Sequence, residues 1–182
     1  DEGKLYFADE KKGLFILDND QLKLLLNYPE DKNLEIVGVY NQQNKLIVVT
    51  RNNGLFSFEN NKLSPVNDLL SSNLKSDKVF SFKKLDQSHL AFGTILNGLY
   101  VTDLQGNIIH HLDKKKGLAN NTILSLERDN VGSLWCTMDY GLSKIYMQDN
   151  FTYLFDNTGN FGTANRAILW KDKFYLGTNQ GR

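Results

Sequence analysis

GLANNTILSLERDNVGSLWCTMDYGLSKIY, residues 117–146, holds two short apolar runs, a turn between them, a Leu-Trp pair and a Gly-Leu pair. The Gly-Leu pair is not unique. It follows a short strand-like run at Gly13-Leu14, Gly54-Leu55, Gly98-Leu99 and Gly141-Leu142, and Gly181 stands in the same context. Successive glycines are 41, 44, 43 and 40 residues apart. A period of about 40–45 residues is that of propeller blades or of helical arrays. The segment is one copy of a repeat.

The runs inside each copy choose between those two architectures. KLYFA, KLIVVT, HLAFGT, SLWCT and KFYLGT are short and rich in Val, Ile, Phe, Tyr and Trp, and so are LFILD, LFSFE, LYVTD and LSKIY after each Gly-Leu. Such runs bounded by turn residues read as strands, and no long 3.6-residue periodicity competes with them. Asn53-Gly54 and Asn97-Gly98 carry the residue pair that favours a type I′ hairpin, with Gly13, Gly141 and Gly181 in the equivalent place. The best copy then contains strand A at 122–128, B at 133–137, C at 142–146 and D at 151–155. Asp129, Asn130 and Gly132 form its A–B turn, and 148–150 its C–D turn.

Four antiparallel strands per repeat is the blade of a β-propeller, so the expected fold class is all-β, a partial β-propeller of about four blades. The parse is a B-C-D remnant at 4–26, blades at 34–66, 78–112 and 122–155, and an A-B remnant at 166–178, all within one domain spanning 1–182. Gly38, Ser81 and Ser125, near the middle of strand A, fit the crowding expected where blades taper toward an axis. The expectation is an incomplete arc of a larger ring rather than a closed four-bladed monomer. Self-association, or the remainder of the propeller, would cover its end faces.

Composition narrows the function classes. Lys+Arg and Asp+Glu are both 21, so no net charge draws the chain to nucleic acid or an anionic membrane. No apolar run approaches the roughly 20 residues that span a bilayer, so no membrane insertion by this segment is expected. The single cysteine, Cys136, has no internal partner, and no Cys/His spacing suggests zinc; no metal or other cofactor is expected. The chain opens on a strand-like LYFA in mid-repeat and reads as a piece of a larger protein.

The segment at 117–146 resembles the two-component regulator propeller repeat. Gly117-Leu118, Asn120-Asn121, Ser125, Asp129, Gly132, Leu134-Trp135, Gly141-Leu142 and Tyr146 match its pattern, and Gly93-Thr94 and Gly177-Thr178 carry its Gly-Thr pair. Cys136-Thr137-Met138 replaces the usual Ile-Gly-Thr, and the other copies are degenerate. The resemblance implies the extracytoplasmic, periplasmic region of a sensor histidine kinase, often a hybrid kinase of Bacteroidetes, responding to oligosaccharides. Kinase chemistry would lie elsewhere in the parent chain.

The residues themselves show no catalytic constellation: no nucleophile motif, no phosphate-binding glycine loop and no metal-ligand cluster. Trp135 is read as a blade-packing residue, Cys136 as a buried inert thiol, His110-His111 as surface histidines and Lys114-Lys115-Lys116 as a solvated loop. Topology indicates where a ligand would sit. D–A connections and B–C hairpins emerge on one face, and the D–A connections are the long ones. That face is expected to display Arg51, Asn97, Tyr140, Phe161, Arg166 and Gln180, amide, guanidinium and aromatic groups suited to a sugar. Two functions follow: a ligand-sensing domain, or a propeller used only for protein–protein assembly. A secreted lyase or hydrolase is a weaker third.

Overall fold

The computed structural model describes residues 4–9, 11–27, 34–43, 45–147, 164–171 and 173–178. The chain divides into two compact units, Asp1–Gln148 and Asp149–Arg182.

The first unit is a succession of antiparallel sheets whose strands pair in chain order. β1 (Leu5–Asp9), β2 (Gly13–Asp18) and β3 (Gln21–Leu26) make a three-stranded sheet. β4 (Ile36–Gln42), β5 (Lys45–Thr50), β6 (Leu55–Glu59) and β7 (Lys62–Pro65) make a four-stranded one. So do β8 (Val79–Lys84), β9 (His89–Thr94), β10 (Leu99–Asp103) and β11 (Ile108–Leu112). β12 (Ile123–Arg128), β13 (Leu134–Met138) and β14 (Leu142–Ile145) follow. The strand expected at 151–155 lies outside the described residues. In the second unit, β15 (Ala164–Trp170) and β16 (Lys173–Thr178) form a hairpin. Among the described residues no helix is long and apolar enough to cross a membrane.

Sheets in the first unit stack face to face, which explains why their central strands are apolar without alternation. In β9, Leu90 and Phe92 enter the core shared with β4–β7, while Ala91 enters the core shared with β12–β14. In β5, Ile47 and Val49 face β8–β11, and Leu46 faces β1–β3. A strand covered on both faces needs apolar residues at every position. The first strands of successive sheets lie alongside one another: Tyr40 of β4 stacks on Phe82 of β8 at 5.7 Å, and Lys83 of β8 pairs with Glu127 of β12 at 2.8 Å. That is the inner-strand arrangement of a β-propeller.

The turns differ from the expectation. Type I′ geometry needs positive φ at both central residues. Asn53 and Asn97 lack it, whereas Gly54 and Gly98 have φ of 78° and 77°. Each hairpin is instead a longer loop closed by a threonine. Thr50 Oγ1 donates to the Gly54 carbonyl at 2.6 Å and accepts from Asn53 N at 3.2 Å. Thr94 does the same with Gly98 and Asn97, at 2.8 and 3.0 Å. Both threonines are fully buried, so the loop satisfies a hydroxyl that would otherwise be stranded. Met138 takes this place before Gly141, and a shorter loop closes by its amide alone, at 3.1 Å. Among the described residues, the two-residue turns with positive φ at both positions are Asn19-Asp20, joining β2 to β3, and Asn60-Asn61, joining β6 to β7.

One connection expected as loop is a helix, α1 (Leu69–Asp77). Three serines, an asparagine and an aspartate among its nine residues leave it little intrinsic preference for helix. Tertiary contacts supply the rest: Asp68 caps it by accepting from Ser71 N at 2.6 Å, Leu70 and Leu74 are buried, and Ser71 Oγ accepts from Leu55 N at 2.9 Å. The helix occupies a connection between sheets and enters no sheet.

Candidate ligand-binding face

The connections at 66–78 and 113–122 pack directly against the hairpin tips at 51–54 and 95–98. Ile95 N donates to the Lys78 carbonyl at 2.9 Å, Gly98 N to Asn121 O at 2.9 Å, and Thr122 Oγ1 to Ile95 O at 2.8 Å. Long connections and B–C hairpins therefore build one face together. The segment from Asp113 to Thr122 is rigidly held there. Asp113 caps the 3-10 turn Lys114–Lys116 by accepting from Lys116 N at 2.9 Å, and Leu118 is buried beneath it. Asn121 Oδ1 accepts from Lys114 N at 2.7 Å, which gives the Asn-Asn pair of the repeat its structural use. Lys116 Nζ donates to the His111 carbonyl at 2.8 Å.

Three of the expected contact residues lie on this face in the first unit, in three successive hairpins, and they are in different states. Arg51 is engaged: its Nε lies 2.9 Å from Glu35 Oε2, its guanidinium sits 4.5 Å above the Phe80 ring, and its carbonyl accepts from Val79 N at 2.9 Å. Asn97 is engaged too, its amide donating to Asp77 Oδ2 and Tyr100 Oη, both at 3.0 Å. Tyr140 is 81% exposed at the tip of the β13–β14 hairpin. Arg166 lies in β15 of the second unit and is exposed. Phe161 and Gln180 lie outside the described residues.

Around Asn97 the structure assembles a polar cluster that no local sequence signal announces. Tyr100 Oη donates to Asp77 Oδ2 at 2.6 Å, and His111 Nε2 meets the Asn97 carbonyl at 2.8 Å. The His111 ring stacks on Tyr100 at 4.3 Å. Burial, then the Asp77 carboxylate, pushes the Tyr100 hydroxyl well above its ordinary range, so it serves as a neutral donor. His111 is thus half-buried and committed to this cluster, unlike exposed His110, which corrects the reading of both as surface histidines. The cluster fixes the end of α1 to the β9–β10 hairpin, where Leu96 projects with 55% of its surface exposed.

Trp135 lies on the face of β13 opposite the Leu134–Cys136 core. Its indole N–H donates to Asp129 Oδ2 at 2.9 Å, and Lys144 Nζ lies 4.9 Å from its ring centre. Cys136 is fully buried, and burial pushes its thiol up to about 12, which leaves no thiolate at neutral pH. Among the described residues no group of three or more His, Cys, Asp or Glu could hold a metal ion.

Asp129 offers a pH-dependent check of the repeat's A–B turn. The Trp135 indole bond first, then the Ser133 amide and the Lys144 ammonium, bring its carboxyl down from 3.8 to about 2. The folded value lies below the unfolded one, so the stabilisation is complete above about pH 4 and is lost as pH falls through about 2. Asp129→Asn is expected to melt below the parent at neutral pH. Thermal melts followed by tryptophan fluorescence should show that gap closing between about pH 4 and pH 2.

Sheet order, inner-strand contacts and the repeat define a partial β-propeller. The chain is similar to the extracellular domain of the hybrid two component system BT3049 from B. thetaiotaomicron, at 27% identity and a TM-score of 0.53, over 80% of this chain and 19% of that one. It is similar also to the extracellular domain of the hybrid two component system BT4673 of the same organism, at 21% identity and a TM-score of 0.60, over 97% and 24% of the two chains. A computationally designed protein, Ika4, shares the fold at 10% identity and a TM-score of 0.51, over 80% of this chain and 86% of that one. The chain spans about a fifth to a quarter of the two extracellular domains. No protein-family model and no curated protein sequence matches it.

Proposed function

We propose that this chain is part of the periplasmic ligand-sensing propeller of a two-component sensor, that it is itself non-catalytic, and that an oligosaccharide binds on the long-connection face. The observation carrying the proposal is Tyr140, 81% exposed beside a segment held in place by its own hydrogen bonds. Gly141 abuts Ala119 of that segment, where an added Cβ would lie 3.9 Å from the Ala119 Cβ. An aromatic ring on a rigid support offers a flat apolar surface to the C–H face of a sugar at small entropic cost. Likeness to extracellular domains of hybrid two-component systems supports the sensor role, with a histidine kinase as the parent's output. Calorimetric titration with a panel of polysaccharide fragments tests it. One fragment is expected to bind, with Tyr140→Ala weakening it about tenfold or more. Undiminished binding by Tyr140→Ala rejects this face, and no binding to any fragment rejects sugar sensing.

A second reading, assembly through self-association or with further blades, rests on the free face of the first sheet. Leu5, Phe7, Leu22 and Leu24 are between 47% and 59% exposed there. Their register places Leu5 and Leu22 opposite Leu17, and Phe7 and Leu24 opposite Phe15, so the six form one apolar surface. Sedimentation equilibrium of the parent and of Phe7→Lys distinguishes the readings: a dimer dissociated by the substitution supports assembly, and a monomer in both cases rejects self-association.

A further inference from the structure

Two Asn-Gly pairs occur in the chain, Asn53-Gly54 and Asn97-Gly98, at the same place in successive hairpins. Thr50 and Thr94 close the two loops in the same way. Their surroundings differ. The Asn97 side-chain amide donates to Asp77 Oδ2 and to Tyr100 Oη, both at 3.0 Å. The peptide group joining Asn97 to Gly98 is clamped on both sides: its carbonyl meets His111 Nε2 at 2.8 Å, and its N–H donates to Asn121 O at 2.9 Å. Among the described residues, no hydrogen bond reaches the Asn53 side-chain amide, the Asn53 carbonyl or the Gly54 N–H.

Three differences between the two copies of the repeat account for this. Tyr100 and Phe56 are each the second residue of the strand that follows the hairpin, β10 and β6. Across from them stand His111 and Pro65. Asp77 lies two residues before Val79, where the pairing of β8 shifts, and Leu34 lies two residues before Ile36, where that of β4 shifts. The positions that hold Asp77, Tyr100 and His111 around Asn97 therefore hold Leu34, Phe56 and Pro65 around Asn53. None of those three side chains donates or accepts a hydrogen bond. Asn53 is accordingly exposed, and Asn97 half-buried.

We infer that Asn53 is a site of spontaneous covalent modification, its side chain closing onto the Gly54 nitrogen and ending as aspartate or isoaspartate, whereas Asn97 keeps its amide. Gly54 N attacks Asn53 Cγ and forms a C–N bond. The bond from Cγ to Nδ2 breaks, and ammonia leaves with the proton that Gly54 N gives up. Water then opens the cyclic imide at either carbonyl, and no electron transfer is involved. Glycine suits the step because no Cβ shields the attacking nitrogen. Both glycines are buried, so each hairpin has to open before base reaches the peptide nitrogen. At Asn97 that opening breaks the bonds to Asp77, Tyr100, His111 and Asn121; at Asn53 it breaks none of their equivalents. The aspartate product puts a new negative charge on the long-connection face, two residues from Arg51. The isoaspartate product adds a methylene to the main chain inside the loop that Thr50 Oγ1 holds at Asn53 N and Gly54 O. The inference stands apart from the sensing reading.

The test holds the purified protein for days in mildly alkaline buffer at body temperature, both folded and in concentrated urea. Peptide mass mapping with fragment spectra follows the loss of amide at each asparagine. The urea sample gives the rate set by local sequence alone, and each folded rate is divided by it. The resulting ratio is expected to be about tenfold or more higher at Asn53 than at Asn97, because every hydrogen bond that must open lowers the reactive population. Tyr100→Phe removes one side-chain bond from Asn97 and keeps the ring; combined with Asp77→Leu, it gives Asn97 the surroundings of Asn53. Amide loss at Asn97 should rise about threefold or more in the single variant and further in the double, with Asn53 unchanged. The single variant carries the comparison if the double does not fold. Amide loss at Asn97 as fast as at Asn53 in the folded parent overturns the inference. Retention of both amides in the folded protein, with loss of both in urea, overturns it too, since the Asn53 loop would then be as closed as its counterpart. No acceleration at Asn97 in either variant overturns the assigned cause of its protection.

Discussion

Gly98→Val is expected to lower the unfolding free energy by about 3 kcal/mol or more, from the strain of a left-handed β-branched residue and an overpacked neighbour. Gly98 has φ of 77°, and a Cβ there would overlap the Leu112 carbonyl oxygen and lie 3.0 Å from the Asp113 Cα. Both obstacles are main chain, so no rotamer change relieves them. Gly106 separates the two effects: its φ is 88°, but the nearest atom to an added Cβ is 3.5 Å away. Gly106→Val should cost only the conformational part, about 1–2 kcal/mol. Urea unfolding with a shared slope measures both. Equal midpoints for the two variants would show that the close approach at Gly98 is not maintained in solution.

Leu74→Ala should cost about 2–5 kcal/mol, the range for emptying a buried leucine site. Leu74 is 0% exposed and belongs, with Leu70, to the core that joins β4–β7 to β8–β11. The neighbouring Leu69 is 72% exposed, and Leu69→Ala should change stability by less than about 0.5 kcal/mol. This contrast tests how α1 packs on the two sheets, with 70 and 74 turned to the core and 69 to solvent. Similar losses from the two substitutions would contradict it. Leu74→Ala should also loosen the end of α1 at Asp77, and with it the hairpin that Asn97 and Tyr100 hold.

The recurrence of Gly-Leu made the architecture legible, because a propeller repeats its packing problem in every blade and so repeats its solution. The apolar runs at 45–50 and 89–94 read directly as strands covered on both faces. Turn type was not legible. Asn53-Gly54 is a local signal for a tight hairpin, but the buried hydroxyl of Thr50 decides the matter from outside the pair. Positive φ at both turn positions went instead to Asn19-Asp20 and Asn60-Asn61, pairs with no glycine at all. α1 was invisible for a related reason: its sequence offers two buried leucines and a cap, and the helix forms on the surface that Leu55 and the two sheets provide.

The candidate face was legible as a topology and only partly as a set of residues. That long connections meet B–C hairpins follows from strand direction, and the hydrogen bonds from 95–98 to Lys78 and Asn121 realise it. Which side chains are available does not follow. Arg51 and Asn97 look as suitable as Tyr140 in the sequence, yet Glu35, Phe80, Asp77 and Tyr100 engage them. Glu35, Phe80 and Asp77 lie between 16 and 29 positions from the residues they engage, beyond any local pattern. His111 was missed because its stacking on Tyr100 depends on the pairing of β10 with β11.

Hydrogen–deuterium exchange of the protein with and without a binding polysaccharide fragment reports the bound face without presupposing a residue. Ligand-dependent protection is expected in the connections 68–78 and 113–122 and in the hairpin tips 95–98 and 138–141. The turns at 86–88, 103–107 and 129–132, which join the strands at the opposite ends, should be unchanged. Protection confined to those opposite turns, with the long connections unaffected, would contradict it.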